Sequence, residues 1–132
     1  MTRLHSLRQA ALSRLDEDAF ARFLDDDDGL PVVIFNLLRF EADTGPDRFG
    51  KALARMRPEL ARFGAEVVFV GDAPAALWED GGGPWDAVAI VRYPSRRAFA
   101  DMVETSECYE TPNTLRDASL LEVVLQPVRV IN

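Results

Sequence analysis

Residues 31–40 form the longest strongly apolar run of the chain, with the sequence Pro-Val-Val-Ile-Phe-Asn-Leu-Leu-Arg-Phe. A β-branched run of this length, with Gly29 before it and Asp43 after it, is typical of a strand buried on both faces. The pattern therefore predicts the central strand of the domain. Asn36 interrupts the run, and a buried amide must be hydrogen-bonded by another part of the fold or by a ligand.

Two helices are predicted before this strand. The first is indicated by apolar positions at spacings of three and four, which are Leu4, Leu7, Ala11 and Leu15. The second begins at a capping carboxylate, Asp16, and directs Phe20, Phe23 and Leu24 inward. It should end at the four aspartates 25–28, because the C-terminal end of a helix dipole disfavours anions.

The pattern after the central strand predicts one helix and two further strands. A single helical stripe is formed by Phe49, Leu53, Met56, Leu60 and Phe63. Pro58 lies inside this stripe and predicts a kink or a break near Arg57, and Gly64 is expected to end the helix. Strands follow at residues 66–71 and 85–93, separated by a loop that contains three successive glycines.

A helix capped by Ser95 and a last strand over residues 119–128 complete the pattern. The order β, α, β, β, α, β predicts an α+β domain of the ferredoxin-like type, with a four-stranded antiparallel sheet. We assign this domain to residues 30–132 and regard residues 1–29 as a helical N-terminal extension.

Alternation along each strand separates the side chains into two faces. In the first strand Val33, Phe35 and Leu37 form a wholly apolar face, which we assign to the helices. The opposite face consists of Val32, Ile34, Asn36 and Leu38. In the third and last strands, the faces that contain Ala89 and Leu125 are assigned to the helices. The other side of the sheet would leave a large apolar patch in water, so a second copy of the chain is expected to cover it.

One end of the predicted sheet collects polar groups. The first strand runs antiparallel to the third and the fourth, so its C-terminal end lies beside their starts. The side chains expected at this end are Asn36, Arg39, Trp85, Asp86 and Glu122. The segment that enters the last strand brings Tyr109 and Arg116 to the same end. A half-apolar face with ionisable groups at one rim is a candidate small-molecule pocket.

Charge and composition exclude several classes of protein. Fifteen basic and 22 acidic residues give a net charge of −7, which would repel a nucleic-acid backbone. A single cysteine, Cys108, cannot form an internal disulfide, and no cationic and then apolar signal segment begins the chain. The apolar runs are too short to span a bilayer. We therefore expect a soluble, cytoplasmic protein with no nucleic-acid or membrane partner.

The sequence also gives no indication of a metal or another cofactor. The aspartates 25–28 do not complete an EF-hand, because the acids required at its first and twelfth positions would fall on Leu24 and Phe35. His5, the only histidine, belongs to the predicted N-terminal helix and not to the strand-end cluster. We therefore assign no metal ligand and no cofactor.

The order of these residues resembles an uncharacterised family, catalogued as domain of unknown function 1330, within the dimeric α+β barrel superfamily. The similarity covers roughly residues 30–127 and is carried by residues 31–40, Trp85-Asp86, Arg92-Tyr93-Pro94-Ser95, Tyr109 and Arg116. The resemblance implies a homodimer whose two sheets pack face to face, with a cleft between sheet and helices or at the barrel ends. The wider superfamily includes cofactor-independent monooxygenases, lactone isomerases and haem-degrading enzymes, so the resemblance does not specify a reaction.

Two hypotheses about function follow. In the first, the protein is a cofactor-independent enzyme, like a monooxygenase or an isomerase, in which Asp86 moves a proton while Asn36 and Arg116 hold an oxygenated ligand. The other residues assigned to ligand binding are Arg39, Trp85, Tyr109 and Glu122. In the second, the protein is a non-catalytic dimeric module that binds a metabolite or a partner protein. Asp86 could instead form a buried ion pair with Arg39 or Arg116, and Asn36 could tie its strand to a neighbouring loop.

Overall fold

The computed structural model describes residues 15–40, 45–105, 120–129 and 131. In chain order the elements are α1 (Glu17–Asp25), β1 (Val32–Phe40), α2 (Gly45–Arg62), β2 (Glu66–Asp72), β3 (Ala87–Tyr93), α3 (Arg96–Thr105) and β4 (Leu120–Val128). The helix predicted from Leu4 to Leu15 lies almost entirely outside these residues. Within the described ranges, no helix is long and apolar enough to cross a membrane.

The four strands form one antiparallel sheet in the order β2-β3-β1-β4. The predicted ferredoxin-like α+β arrangement is thereby confirmed. Strand β1 is hydrogen-bonded on both edges, to β3 on one side and to β4 on the other. It is the strand that the apolar run 31–40 predicted as central.

Helix boundaries are formed by the capping residues that the sequence suggested. The Asp16 carboxylate accepts a hydrogen bond from the Ala19 N–H at 2.9 Å, and the Ser95 hydroxyl accepts one from the Ala98 N–H at 3.1 Å. Gly64 ends α2 with a positive φ of 75°, which glycine adopts without steric cost. The Ala65 N–H donates to the Leu60 carbonyl at 2.9 Å, as in a Schellman motif.

Helix α2 differs from its prediction at two points. It begins at Gly45, before the expected apolar stripe, because a proline such as Pro46 is readily accommodated in the first turn. It also continues through Pro58 to Arg62, so the prediction of a break near Arg57 is wrong. A proline removes the hydrogen bond of its own nitrogen and crowds the carbonyl four residues earlier, which here belongs to Ala54. Because Ala54 and Pro58 are both exposed, water can satisfy the carbonyl that is left over.

The register of the sheet determines which side of β1 faces the helices. Asn36 lies opposite Ala89 of β3 and Leu125 of β4, so these three residues share one face. The buried residues of β1 belong to the same face, namely Val32 at 2%, Ile34 at 2%, Leu38 at 0% and Phe40 at 9% exposure. They pack in the core beneath the helices.

The predicted orientation of β1 is therefore wrong, whereas that of Ala89 and Leu125 agrees with the register. Val33, Phe35 and Leu37 point away from the helices and are only half-buried. They form the open face of the sheet, together with Phe69, Val88, Ile90 and Val124. Because both faces of β1 are apolar, the single polar residue Asn36 did not indicate which face is exposed.

Helix α1 packs on α3 through aromatic side chains. The Phe23 ring meets the Phe99 ring edge to face, with centroids 5.6 Å apart, and the Phe20 ring meets it similarly at 6.4 Å. The guanidinium of Arg96, a residue that is only 8% exposed, lies 4.8 Å from the centre of the Phe23 ring. The Asp27 carboxylate accepts a hydrogen bond from the Arg96 N–H at 3.2 Å. The helical extension thus shares the core of the domain.

Replacing Phe23 with alanine should lower the free energy of unfolding by about 3 kcal/mol, because it removes a buried ring and leaves a cavity between α1 and α3. Urea unfolding followed by circular dichroism measures the change. The control is Leu77→Ala, which alters a fully exposed residue and should change the free energy by less than about 0.5 kcal/mol. Equal effects of the two substitutions would contradict the packing of α1 on the core.

Candidate functional site

Three of the predicted site residues meet at the end of the open face. Arg39 of β1 lies directly opposite Glu122 of β4, and its Nη2 atom is 2.5 Å from both carboxylate oxygens. The Arg39 guanidinium also lies 5.6 Å from the centre of the Trp85 ring. The two charged side chains are 30% and 49% exposed, so solvent screening keeps the stabilisation by this pair modest. The sequence predicted this grouping correctly.

Asp86 lies at the same end and connects the start of β3 to β1. Its N–H donates to the Leu38 carbonyl at 2.7 Å, and its carbonyl accepts from the Ala73 N–H at 2.9 Å. Its carboxylate accepts from the Phe40 N–H at 2.8 Å. The side chain therefore has a structural role at the point where β1 ends. Its function as a general base stays a prediction.

The ion-pair alternatives for Asp86 involved two arginines. Arg39, the first of them, has its carboxylate partner in Glu122. Arg116, the second, lies outside the described residues, as does Tyr109. The predicted contribution of Tyr109 and Arg116 to the rim therefore stays a prediction.

Asn36 does not join this rim, because it faces the helices from the middle of β1. Its Nδ2 donates to the Ile34 carbonyl and to the Ala89 carbonyl, both at 3.2 Å. Only the NH₂ group of an amide can donate to two carbonyls, so these contacts define the orientation of the side chain. The prediction that grouped Asn36 with Asp86 and Glu122 is wrong.

A cavity of about 30 Å³, here called the Asn36 cavity, lies between the sheet and the helices. Its walls are Ile34, Asn36, Leu38, Phe49, Leu53, Met56, Leu60, Ala89, Val91, Tyr93, Phe99 and Leu125. Asn36 and Tyr93 supply the polar side-chain atoms of this lining, and every other wall is apolar. The volume is enough for a single water molecule.

A second cavity of about 140 Å³, here called the α1 groove, lies between α1 and the β1–β4 part of the sheet. Its walls are Leu15, Asp16, Ala19, Phe20, Phe23, Ile34, Phe99, Leu125 and Pro127. Asp16 is the one residue of this lining with a polar side chain, and its carboxylate caps α1. Three residues, Ile34, Phe99 and Leu125, line both cavities.

A third cavity, of about 340 Å³, lies within the β2–β3 loop and is lined by Trp78 and Trp85. Trp78 is 84% exposed, and its indole N–H donates to the Asp80 carboxylate at 2.8 Å. The walls of this cavity are largely exposed loop residues, so it is less enclosed by the core than the other two.

The sequence did not identify the α1 groove or the true position of Asn36. The groove is formed by residues far apart in the chain, such as Phe20, Phe99 and Leu125. The face of Asn36 could have been found from its neighbours. Phe40 continues the even-numbered side of β1, whereas Arg39 ends the odd-numbered side with a charge, which is the usual mark of the more solvated face.

The chain is similar to solved structures that include two of one bacterial protein. The RPA0582 protein of unknown function from Rhodopseudomonas palustris is 26% identical, with a TM-score of 0.75, covering 89% of this chain and 95% of that one. The methylated RPA0582 protein is 24% identical, with a TM-score of 0.76, covering 89% and 93%. Both support the α+β fold. No family model and no curated protein matches the chain, so the resemblance to domain of unknown function 1330 stays a prediction.

Replacing Asp86 with alanine should lower the free energy of unfolding by about 1 kcal/mol, because the Phe40 N–H loses its acceptor. Asp86→Asn should cost less, since the amide oxygen still accepts this hydrogen bond. Urea unfolding of both variants measures the difference. If asparagine proved as costly as alanine, the charge of Asp86 and not its contact with Phe40 would be responsible.

Proposed function

We propose that the protein is a homodimer that binds a small, neutral, mainly apolar molecule between its sheet and its helices, with Asn36 as the polar contact. The observation that carries this proposal is the amide of Asn36 inside an otherwise apolar layer. Binding sites for small molecules combine apolar walls with a few polar groups that orient the ligand. The Asn36 cavity has this composition.

The hydrogen bonds of Asn36 indicate which chemical group a ligand would present. Its NH₂ group donates to the Ile34 and Ala89 carbonyls. An amide carries both donors and an acceptor, so a ligand hydroxyl, which also donates and accepts, can exchange for one of the existing contacts of the side chain. A charged ligand would be desolvated at high cost among these apolar walls.

The Asn36 cavity must widen to admit such a molecule, because about 30 Å³ holds only a water. The α2 wall is suited to this movement. Leu53 and Met56 are only half-buried, and methionine adapts readily to new shapes because it is unbranched and has three rotatable bonds. A ligand could therefore displace the α2 side chains without disturbing the hydrogen-bonded sheet.

Binding is better supported than catalysis by the described residues. The carboxylate proposed as a base, Asp86, accepts a hydrogen bond from the main chain at the end of β1. Asn36, the residue proposed to hold the ligand, faces the helices from the middle of β1, four residues before Phe40. A ligand in the Asn36 cavity would therefore lie several residues along β1 from the Asp86 carboxylate.

The dimer is proposed from the chemistry of the open face. Its centre is mainly apolar, although Gln126 lies opposite Phe35. The apolar residues come from all four strands and are Val33, Phe35, Leu37, Phe69, Val88, Ile90 and Val124. Ion pairs flank it at both ends, Arg39 with Glu122 at one and Arg92 with Glu66, 3.8 Å apart, at the other. An apolar centre with a charged rim is the usual composition of a protein interface. A second copy offers the same surface and would bury it on both sides.

Replacing Phe35 with aspartate should convert the dimer into a monomer of 14.7 kDa, because it puts a charge at the centre of the open face. Sedimentation velocity at micromolar concentration measures the mass. Leu77→Asp, at a fully exposed loop position, should leave the dimer unchanged. A wild-type protein that sediments as a monomer would refute the dimer directly.

Replacing Asn36 with leucine should weaken the binding of cyclohexanol about fivefold and leave the binding of methylcyclohexane unchanged, because the two rings are almost equal in size and only the alcohol can hydrogen-bond to the amide. Titrations followed by ¹H–¹⁵N spectra measure both affinities. In the wild type, cyclohexanol should move the side-chain amide signals of Asn36, whereas those of Gln126, on the open face, should stay unchanged. An equal effect of the substitution on the two compounds would contradict the proposed contact.

A further inference from the structure

We propose that Phe69 is the aromatic anchor through which a second copy of the chain binds the open face. A bulge in β2 and the glycine at position 71 give the Phe69 ring the position that this contact requires. The inference rests on the proposed dimer, and it specifies the side chain that contributes most to the affinity of the two copies.

The bulge directs Phe69 to the open face. Val67 lies opposite Val91 of β3 and packs against the core. The register then shifts, and Phe69 lies opposite Ile90, which shares the open face with Phe35. Strict alternation would have placed Val67 and Phe69 on the same side of β2, beneath the helices. A bulge changes the direction of the side chains that follow it, so the one aromatic residue of β2 points away from the core.

Gly71 allows the Phe69 ring to lie against its own strand. A Cβ atom at Gly71 would be 2.9 Å from the Cε1 and Cζ atoms of this ring, so the ring occupies the space that a side chain would take. Sheets that pack face to face are about 10 Å apart, so each sheet contributes a layer about 5 Å thick. A ring that lies along β2 fits such a layer better than a ring that stands upright.

The exposure of Phe69 indicates that this side chain is available to a partner. It is 55% exposed, and Val68, the extra residue of the bulge, is 56% exposed. Phe69 also adjoins Ile90 and so extends the apolar centre of the open face to the edge strand. Aromatic residues within an apolar patch are the usual hot spots of protein interfaces.

The charges of the open face favour a second copy as the occupant. In the described part of the chain, the register places two arginines and two glutamates on this face, which are Arg39, Arg92, Glu66 and Glu122. They form two ion pairs, so this face is balanced in charge although the whole chain carries −7. Two copies therefore repel each other less here than at the acidic run 25–28.

Replacing Phe69 with alanine should raise the Kd of the dimer at least about thirtyfold, as is usual for an aromatic hot spot. Sedimentation of a dilution series measures the Kd. The matched control is Leu30→Ala, which truncates an apolar side chain of similar exposure, 62%, outside the sheet and should leave the Kd unchanged. Circular dichroism should show the wild-type fold in both variants, because both residues are exposed. A Phe69→Ala variant that dimerises like the wild type would overturn the inference.

Gly71→Ala tests the position of the ring. The φ of Gly71 is not positive, so the backbone accepts alanine, and the added methyl group should displace the Phe69 ring. We expect the dimer to weaken about fivefold. In a chain that already carries Phe69→Ala, the same substitution should have no further effect, because no ring remains to be displaced. An equal loss in both backgrounds would mean that Gly71 does not act through Phe69, which is contrary to the inference.

The inference and the proposed dimer can be told apart when one of them fails. A wild-type chain that stays monomeric throughout the dilution series would refute both. A wild-type dimer that Phe35→Asp dissociates, but that Phe69→Ala does not weaken, would refute the anchor alone and leave the open face as the interface.

Discussion

The pairing of β1 with a strand on each edge is the constraint on which the rest of the structure depends. Because both pairs are in fixed register, the direction of one β1 side chain determines the direction of its neighbours in β3 and β4. Leu38, with 0% exposure, shows which side is packed beneath the helices. The same alternation directs Asn36 into the core layer and Arg39 to the opposite face, so the two polar side chains of β1 lie on different faces of the sheet.

The helical extension is coupled to this layer through α3. Phe23 contacts both the Phe99 ring and the Arg96 guanidinium, and Asp27 accepts a hydrogen bond from the first residue of α3. A carboxylate at the N-terminus of a helix is also favoured by the helix dipole. Part of the acidic run 25–28 therefore attaches α1 to the domain, although like charges at the end of α1 were expected only to terminate that helix. Because α1 is attached to α3 in this way, Phe20 lines the α1 groove together with Leu125.

The fold was predictable from the sequence because each element has a strong local signal. The run 31–40 indicated the central strand, and Asp16, Ser95 and Gly64 marked helix ends through contacts within a few residues. The orientation of β1 depended on register, which involves Ala89 and Leu125, more than fifty residues away. Local apolarity could not decide it, since both faces of β1 are apolar. The Asn36 cavity and the α1 groove are also formed by packing between distant segments. In the sequence, Asn36 was the one residue that indicated either of them.

The hydrogen bonds of Asn36 add little to the stability of the fold. Each hydrogen bond of a buried amide contributes only about 1 kcal/mol net. The two bonds to the Ile34 and Ala89 carbonyls thus offset much of the cost of burying the amide but give little further stabilisation. They do fix the orientation of the amide. In the proposed function, this preorganisation would reduce the entropy lost on binding, a property that a binding site requires and a core does not.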